Sequence, residues 1–270
     1  MFAATAVAAF AHPGSAIAVA ADGRVFFVDT GRGLFAIGRD GSVTRQDGPA
    51  FHWFTLDPAD RFARTPWPYM PGAEFRSVGA HPTVILSSDY PVAVGRDGTF
   101  YYPEFNGRLR IIGLTPGGAR SVHATLAEPS PRWLNGLTAG PDGSLYYTED
   151  KAVRKIDARG AVSTVAANVS VANCAAIPGA EPPYLRGLAV APDGTIYVAA
   201  AGCGALLKIT RGRATRFLQT APPWSPTAVA LANGDLYVLE YLHTASDNRQ
   251  EWIARVRKIL RDGTQVMLTK

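Results

Sequence analysis

The sequence predicts an all-β protein: one six-bladed β-propeller spanning residues 1–270, with four-stranded antiparallel blades around a central channel. Three observations predict this fold. A strand–turn–strand unit recurs along the chain, a second hairpin follows most copies, and turn residues are spread evenly. The 270 residues include 27 Gly and 20 Pro. This distribution is typical of many short strands joined by tight turns, so long helices are not expected.

The repeated unit is an apolar run, a tight turn and an alternating aromatic run that usually ends in an acid. Its turn dipeptides are Asp22-Gly23, Asp97-Gly98, Asp142-Gly143, Asp193-Gly194 and Asn233-Gly234. Such hairpin turns need a positive φ, which glycine adopts without steric penalty. The first interval is about twice a blade length. A degenerate copy is therefore expected within it, and HWFTLDPADRFA supplies one, with a hairpin turn at Ala59-Asp60. The six blades then start near residues 15, 52, 90, 135, 186 and 226.

The second hairpin is visible in segments such as GLFAIGRDGSVT and ALLKITRGRATRF. Four strands per unit make a propeller blade. An open sandwich is the alternative, although its hairpins need not recur at near-constant spacing. Residues 1–11 form an apolar run that we interpret as a strand closing the ring against the last blade. The alternative is a signal remnant, which is disfavoured because no Lys or Arg precedes Arg24.

Composition excludes several classes of protein. With 47% hydrophobic and 18% charged residues, the chain can bury a large core and is unlike disordered chains. The formal net charge is +5, but the basic residues are scattered and no aromatic RNA-binding motif is present, so a nucleic-acid partner is not expected. Arg255 and Arg257 flank Val256 and are predicted on a solvated strand face. No apolar run reaches the roughly 18–20 residues of a membrane span. The expected partner is a small organic molecule, and the oligomeric state is not indicated.

Strand register predicts which residues share one mouth of the channel. Because the second strand of a blade returns beside the first, residues equally far from the turn lie at the same height. The residues that precede the turns by the same distance are Ser15, His52, Tyr90, Asn135, Arg186 and Pro226. Their counterparts after the five clear turns are Asp29, Glu104, Glu149, Ala200 and Glu240. The acids have two interpretations: a structural hydrogen bond that belongs to the repeat, or a ring of functional carboxylates.

The candidate catalytic residues lie at this mouth. Neutral His52 can act as a base near pH 7 or ligate a metal. Arg186 can hold a carboxylate or stabilise developing negative charge. Glu149 or Glu240 is the candidate carboxylate partner, and an insertion after Glu240 brings His243 to the same face. A purely structural role is the alternative for either histidine.

Aromatic residues in the proline-rich connections are the candidate substrate-binding groups. They are Trp67, Tyr69, Trp133 and Trp224, together with Tyr90 from the mouth residues at the strand starts. Aromatic walls around a channel indicate an organic ligand with apolar area. Filling gaps between blades is an equally ordinary use of tryptophan.

Cys174 and Cys203 are both expected on the mouth side. A disulfide between them would close a loop of about 30 residues and contribute roughly 3 kcal/mol by the chain-entropy model. An oxidising compartment would follow, so the location is predicted as periplasmic or secreted. Two unpaired buried cysteines are the alternative, and they would suit a cytoplasmic protein.

The repeats resemble those of NHL propellers and of the regucalcin/gluconolactonase and strictosidine-synthase-like superfamily. The segment NGLTAGPDGSLYYTED also resembles the repeat of virginiamycin B lyases. In regucalcin-like lactonases a Glu, an Asp and two Asn near the starts of inner strands hold a divalent cation. The resemblance implies a calcium or other divalent ion in the channel, with Asn135 and His52 as ligands.

This chain departs from that metal pattern at two positions. Gly14 or Ser15 replaces the first-blade Glu, and Pro226 replaces the last-blade Asp. Because calcium prefers oxygen ligands, with carboxylates prominent among them, the missing charge would have to come from Glu104, Glu149 or Glu240.

The resulting functional prediction is a hydrolase-like enzyme acting on a small ester, lactone or related organic substrate at the channel mouth. One alternative is a metal-assisted lyase that uses His52 or His243 to take a proton from carbon. The other is a non-catalytic NHL-type propeller that binds a ligand or a protein.

Overall fold

Six antiparallel sheets follow one another along the chain. A computed structural model describes residues 13–63, 67–70, 72–78, 81–127, 134–149, 151–174, 182–242 and 249–269. The predicted six-bladed propeller is confirmed; within these residues five blades have four strands and the second has three. The predicted closing strand in residues 1–11 lies outside the described part.

The first blade contains β1 (Ile17–Val19), β2 (Val25–Asp29), β3 (Gly33–Ile37) and β4 (Val43–Arg45). The second contains β5 (Trp53–Asp57), β6 (Phe75–Val78) and β7 (Thr83–Ser87). The third contains β8 (Ala93–Val94), β9 (Phe100–Asn106), β10 (Arg108–Leu114) and β11 (Arg120–Thr125). The fourth contains β12 (Gly136–Ala139), β13 (Leu145–Thr148), β14 (Val153–Ile156) and β15 (Val162–Ala166). The fifth contains β16 (Leu185–Val190), β17 (Ile196–Ala200), β18 (Ala205–Thr210) and β19 (Arg213–Gln219). The sixth contains β20 (Trp224–Ala232), β21 (Asp235–Leu242), β22 (Ala254–Ile259) and β23 (Gln265–Met267).

The second blade differs from its predicted hairpin. Asp60 does adopt a turn conformation, with a φ of 52°. However, the strand that returns beside β5 is β7, with Trp53 opposite Ser87, and β6 pairs with the far edge of β7. Asp60 binds this later hairpin, since its Oδ1 accepts hydrogen bonds of 2.7 Å from both the amide and the hydroxyl of Thr83. The prediction that the chain returns directly after Ala59-Asp60 is therefore wrong.

The innermost strands β1, β5, β8, β12, β16 and β20 contact one another in cyclic order, which closes the ring. A cavity of about 290 Å³, the inner cavity, lies between them and is lined by residues of all six blades. Glycine permits the close approach of neighbouring strands. A Cβ on Gly136 would lie 2.7 Å from the Arg186 carbonyl oxygen, and one on Gly187 would lie 2.8 Å from the Cα of Ala228. The starts of the inner strands therefore converge at one end of the ring, the strand-start mouth.

The hydrophobic core lies between the blades. Between the second and third blades, Phe62, Phe75, Phe100 and Tyr102 are buried together. Between the last and first blades, the fully buried Tyr241 hydroxyl donates a 2.6 Å hydrogen bond to the carbonyl of Val28 and accepts one from the amide of Thr30. Burial raises the pKa of Tyr241, so the phenol stays neutral and continues to donate.

The turn aspartates hold the tight turns, and Asp142 shows how. Its Oδ1 accepts the amide of Ser144 at 3.2 Å, and its Oδ2 accepts the hydroxyl of Tyr146 at 3.0 Å and Nζ of Lys155 at 2.7 Å. Partial burial opposes ionisation, but these hydrogen bonds, led by that of Lys155, outweigh it and lower the pKa of Asp142 to about 2.

We expect Asp142→Asn to destabilise the protein by about 1 kcal/mol or less at neutral pH, because the pair is partly exposed. A lowered carboxylate pKa stabilises the fold above the unfolded pKa of 3.8. The difference between wild type and variant should therefore shrink as the pH falls from about 4 to about 2. Urea unfolding at several pH values measures it. Asp193→Asn, which removes a turn carboxylate that bonds Thr195, is the control. An equal pH dependence in both variants contradicts the inference that the contact with Lys155 lowers the pKa of Asp142.

The predicted disulfide is confirmed: Cys174 and Cys203 are bonded, with a sequence separation of 29. Cys203 ends a short 3-10 turn between β17 and β18, and Cys174 follows the last strand of the fourth blade. The bond therefore ties the fourth and fifth blades together. Within the described residues no helix has the length and apolar character needed to cross a membrane.

Thiol titration in denaturant without reductant should find no free thiol, and reduction should expose both. Reduction should also lower the free energy of unfolding by roughly 3 kcal/mol, because the unfolded chain gains loop freedom. Titratable thiols before reduction contradict the assignment.

Candidate functional site

Three of the predicted mouth residues lie at the starts of inner strands in the second, fourth and fifth blades. His52 precedes β5, Asn135 precedes β12, and Arg186 lies in β16; they are 8%, 7% and 2% exposed. The backbone links these positions around the ring. The amide of Ser15 donates to the carbonyl of His52 at 3.0 Å, and the hydroxyl of Thr148, opposite Gly136, donates to the carbonyl of Arg186 at 2.8 Å. Blades one and two, and four and five, are therefore joined at this mouth.

The Arg186 side chain reaches from the fifth blade to the first and second. Its Nη2 donates a 2.7 Å hydrogen bond to the carbonyl of Pro13. Its guanidinium carbon lies 5.9 Å from the ring centre of Trp53 and 5.5 Å from that of Tyr184. Burial lowers the pKa of Arg186, although an arginine remains charged near neutral pH. The buried Arg186 cation thus lies over the ring of Trp53, the residue that follows His52 in the sequence.

The His52 ring is oriented by the backbone. Its Nδ1 lies 2.9 Å from the carbonyl oxygen of Ser88. A carbonyl can only accept, so in the neutral ring Nδ1 carries the proton and Nε2 carries the lone pair. This arrangement is the one that a general base or a metal ligand requires.

Ser15 is one of the residues that strand register predicts at the mouth, but the sequence indicates no function for its hydroxyl. The residue is 4% exposed and lines the inner cavity. Its Oγ makes no hydrogen bond to any described residue. A buried hydroxyl without a protein partner costs about 1–3 kcal/mol, so this Oγ is suited to bind a polar group of a ligand. No sequence motif marks it.

The predicted register is confirmed in the sixth blade, where Pro226 lies opposite Glu240. In the fifth blade it is wrong by one residue, because a register shift after Leu185 places Leu185 and not Arg186 opposite Ala200. The acids at this height all contact arginines: Asp29 with Arg32, Glu104 with Arg120, Glu149 with Arg154, and Glu240 with Arg255 and Arg257. These contacts favour the structural interpretation of the repeat acids. The catalytic role of Glu149 or Glu240 stays a prediction.

Glu240 has the most buried of these carboxylates. It is fully buried and accepts Nε of Arg255 at 2.7 Å and Nε of Arg257 at 2.6 Å. The guanidinium of Arg255 also lies 3.8 Å from the ring centre of Trp224. Arg255 and Arg257 are therefore not on a solvated strand face as predicted, because they point toward the carboxylate on the adjacent strand β21.

The described residues do not supply the donor set of a hard divalent cation. Among them no three His, Cys, Asp or Glu side chains cluster so as to hold a metal. His52 and Asn135 share the strand-start mouth, but the repeat carboxylates contact arginines and a buried guanidinium lies nearby. Calcium prefers carboxylate oxygens. The cation stays a prediction, and no reaction step is derived through it.

The aromatic candidates are dispersed. Trp67 packs against Phe62 and Phe100 between the second and third blades. Tyr90 is half-buried in the same cluster, and burial raises its pKa. Tyr69 is 91% exposed. Trp67 thus fills a gap between blades, and a substrate-binding role for these residues stays a prediction. Trp133 and His243 lie outside the described residues.

A larger cavity of about 1000 Å³ lies at the opposite end of the ring, where the inner hairpins turn. We call it the turn-side vestibule. It is lined by turn residues of all six blades, among them Asp22, Pro58, Arg96, Pro141, Asp193 and Asn233. No sequence motif predicts this cavity, because its lining is assembled from single turn residues of separate blades.

Comparison with solved structures identifies the fold. No family sequence profile and no curated protein sequence matches the chain. Virginiamycin B lyase from Staphylococcus aureus matches with a TM-score of 0.53 and 17% identity, over 93% of this chain and 82% of that one. A luciferin-regenerating enzyme matches with a TM-score of 0.52 and 16% identity, over 90% and 92%. A chain of a nidogen/laminin complex matches with a TM-score of 0.60 and 14% identity, over 90% and 91%. At such identities the likeness shows architecture alone: the chain has the six-bladed propeller fold that virginiamycin B lyase and luciferin-regenerating enzyme share.

Proposed function

We propose that the protein is an enzyme that hydrolyses a small ester, lactone or related organic substrate at the strand-start mouth. The observation that carries the proposal is the orientation of His52. Its Nδ1 is held by Ser88, so Nε2 is the basic nitrogen, and the Arg186 cation lies over the ring of the adjacent Trp53. A base and a buried cation at one mouth are the two groups that ester hydrolysis needs.

The chemistry follows from these two groups. Nε2 of His52 takes a proton from water while the water oxygen forms a bond to the substrate carbonyl carbon. Arg186 stabilises the negative charge that develops on the carbonyl oxygen. The carbon–oxygen ester bond then breaks, and the leaving alkoxide receives the proton back from His52. The Ser15 hydroxyl, which has no partner among the described residues, hydrogen-bonds the bound substrate.

A lyase is the first alternative, because the same Nε2 can take a proton from carbon. Two solved structures with this fold are those of a virginiamycin B lyase and a streptogramin B lyase. The products distinguish the reactions. Hydrolysis of a lactone adds the mass of one water, whereas elimination opens the ring without a change of mass.

A non-catalytic propeller that binds a ligand or a protein is the second alternative. It is favoured by the contacts of the polar side chains at the mouth, since Arg186 donates to Pro13 and the repeat acids contact arginines. The disulfide supports an oxidising compartment, periplasmic or extracellular, for either function.

The experiment is an ester and lactone panel with purified protein, assayed by mass spectrometry before and after dialysis against a chelator. Water addition that depends on His52 supports the proposal, and loss of activity on chelation supports the predicted divalent cation. Ring opening without a mass change supports the lyase. An inactive protein across the panel supports the binding propeller and contradicts the enzyme.

A further inference from the structure

The turn-side vestibule is a second site, distinct from the strand-start mouth. It shares Ala18, Thr55, Val94, Ala139, Val190 and Leu231 with the inner cavity, so the two spaces are contiguous. Its volume of about 1000 Å³ is at the upper end of the range for pockets that hold small organic ligands. None of the groups proposed for hydrolysis lines it.

The charged side chains that line the vestibule carry a net positive charge. Arg61, Arg96 and Arg261 come from the second, third and sixth blades, whereas the lining carboxylates are Asp22 and Asp193. Each carboxylate is engaged locally. Asp22 accepts from the amide and Nε of Arg24, and Asp193 accepts from the amide and hydroxyl of Thr195. His81, which also lines the vestibule, contacts Asp60. The cations are therefore the groups that remain for a ligand.

The guanidinium groups of Arg61, Arg96 and Arg261 each have N–H donors beyond those used in their contacts with the described residues. Arg261 donates through Nε to the carbonyl of Asn233 at 2.7 Å, and Nε of Arg61 lies 3.3 Å from Oδ1 of Asp57. These contacts hold the two side chains at the rim by their inner nitrogen. Arg96 is exposed and makes no hydrogen bond or ion pair within the described residues. A guanidinium presents paired N–H donors that match a carboxylate or a phosphate group.

The walls between the arginines are apolar. Pro58, Pro82, Pro141 and Pro192 line the vestibule, as does the half-buried ring of Tyr197, which packs edge-on against Phe217 at 5.2 Å. Proline has no amide N–H to offer. Apolar walls with a few convergent polar groups are typical of sites for organic ligands.

We propose that the turn-side vestibule binds an organic anion, with the arginine rim holding its carboxylate or phosphate group and the proline and tyrosine walls contacting its body. Arg96 is the principal contact because its guanidinium makes no hydrogen bond or ion pair within the described residues. This site lies beyond the hydrolysis proposed for the opposite mouth and does not depend on it.

The test is isothermal titration calorimetry of the full chain with glucose 6-phosphate, glucuronate and glucose as probes. Glucose 6-phosphate and glucuronate separate a phosphate from a carboxylate, and glucose is the neutral control. Arg96→Ala should weaken binding of the preferred anion about tenfold, as expected for the loss of a charge-assisted hydrogen bond. Ala21→Trp, at an exposed turn position that lines the vestibule, should weaken it by filling the space. Arg213→Ala changes an exposed arginine outside the lining and should leave binding unchanged.

Binding of either anion at millimolar concentration or below, weakened about tenfold in Arg96→Ala and unchanged in Arg213→Ala, supports the site. Binding should also weaken as salt rises. No binding of either anion, equal binding of glucose, or equal binding by wild type and Arg96→Ala overturns it. His52→Ala should bind the anion normally, so failure of the hydrolase proposal and failure of this site give different results.

Discussion

Replacing Glu240 by alanine is expected to lower the free energy of unfolding by about 3–5 kcal/mol. The Glu240 carboxylate is fully buried, and its two partners, Arg255 and Arg257, have side chains only 19% and 16% exposed. Removing the carboxylate leaves two poorly hydrated cations close together without a counter-charge. Breaking a buried ion pair on one side is costly for this reason, even where the intact pair adds little net stability. Chemical denaturation of wild type and variant measures the loss.

The repeat supplies a matched control for this prediction. Glu104 occupies the equivalent position in the third blade, but its side chain is 26% exposed and that of its partner Arg120 is 45% exposed. Glu104→Ala is expected to cost about 1 kcal/mol or less, because water screens an exposed pair. Equal losses in the two variants contradict the view that burial sets the importance of the repeat acids.

Replacing His52 by alanine is expected to lower kcat/KM on the substrate by about 100-fold to 10,000-fold, the usual contribution of a general base. The variant removes Nε2, and with it the acceptor for the proton of the attacking water. Activity of the wild type should fall as acid protonates the ring, because a protonated imidazole cannot accept. The measurement is a pH–rate profile on a substrate identified by the panel.

His81→Ala is the control for the His52 variant. The His81 side chain is 70% exposed and its Nδ1 lies 2.6 Å from Oδ2 of Asp60, in the second blade but on the turn side. Its removal is expected to leave kcat/KM within about twofold, since surface changes away from a site have small effects. If His52→Ala keeps wild-type activity while circular dichroism shows a folded protein, His52 is not the base.

The blades could be predicted from sequence because their turns are governed by local chemistry. Positive φ values are observed at Gly23, Gly98, Gly143, Gly194 and Gly234, as the hairpin turns require. Once a turn is located, the alternation of a strand determines which residues lie opposite each other. The turn at Asn233-Gly234 accounts for the nearest pairs, such as Ala232 with Asp235, whereas the pairing of Pro226 with Glu240 also depends on a register shift between Pro226 and Ala228.

The second blade could not be predicted in detail because its pairing is not local. Asp60 forms a turn without glycine, and its carboxylate binds Thr83, which is 23 residues away. Phe62, which follows this turn, does not lie in a returning strand but is fully buried in the aromatic cluster between two blades. An apolar residue after a turn can lie either in a returning strand or in a core cluster, and only the tertiary structure decides between these two positions.

The site could be predicted in part. Register predicts that His52, Asn135 and Arg186 share one mouth, since it fixes backbone height. It does not reveal side-chain direction, so the hydrogen bond from Arg186 to Pro13 and the ion pairs of Glu240 were not foreseen. The turn-side vestibule was missed because its lining is assembled from the turns of six blades, none of which carries a recognisable motif alone.

The central claim is that the strand-start mouth, built from residues of separate blades, holds the reacting group of the substrate. A crystal structure of the protein with a substrate analogue tests it most directly. Density for the analogue carbonyl is expected within hydrogen-bond reach of Nε2 of His52, with the Arg186 guanidinium on the side of the carbonyl oxygen. Density for the analogue only in the turn-side vestibule, with His52 and Arg186 untouched, contradicts the account.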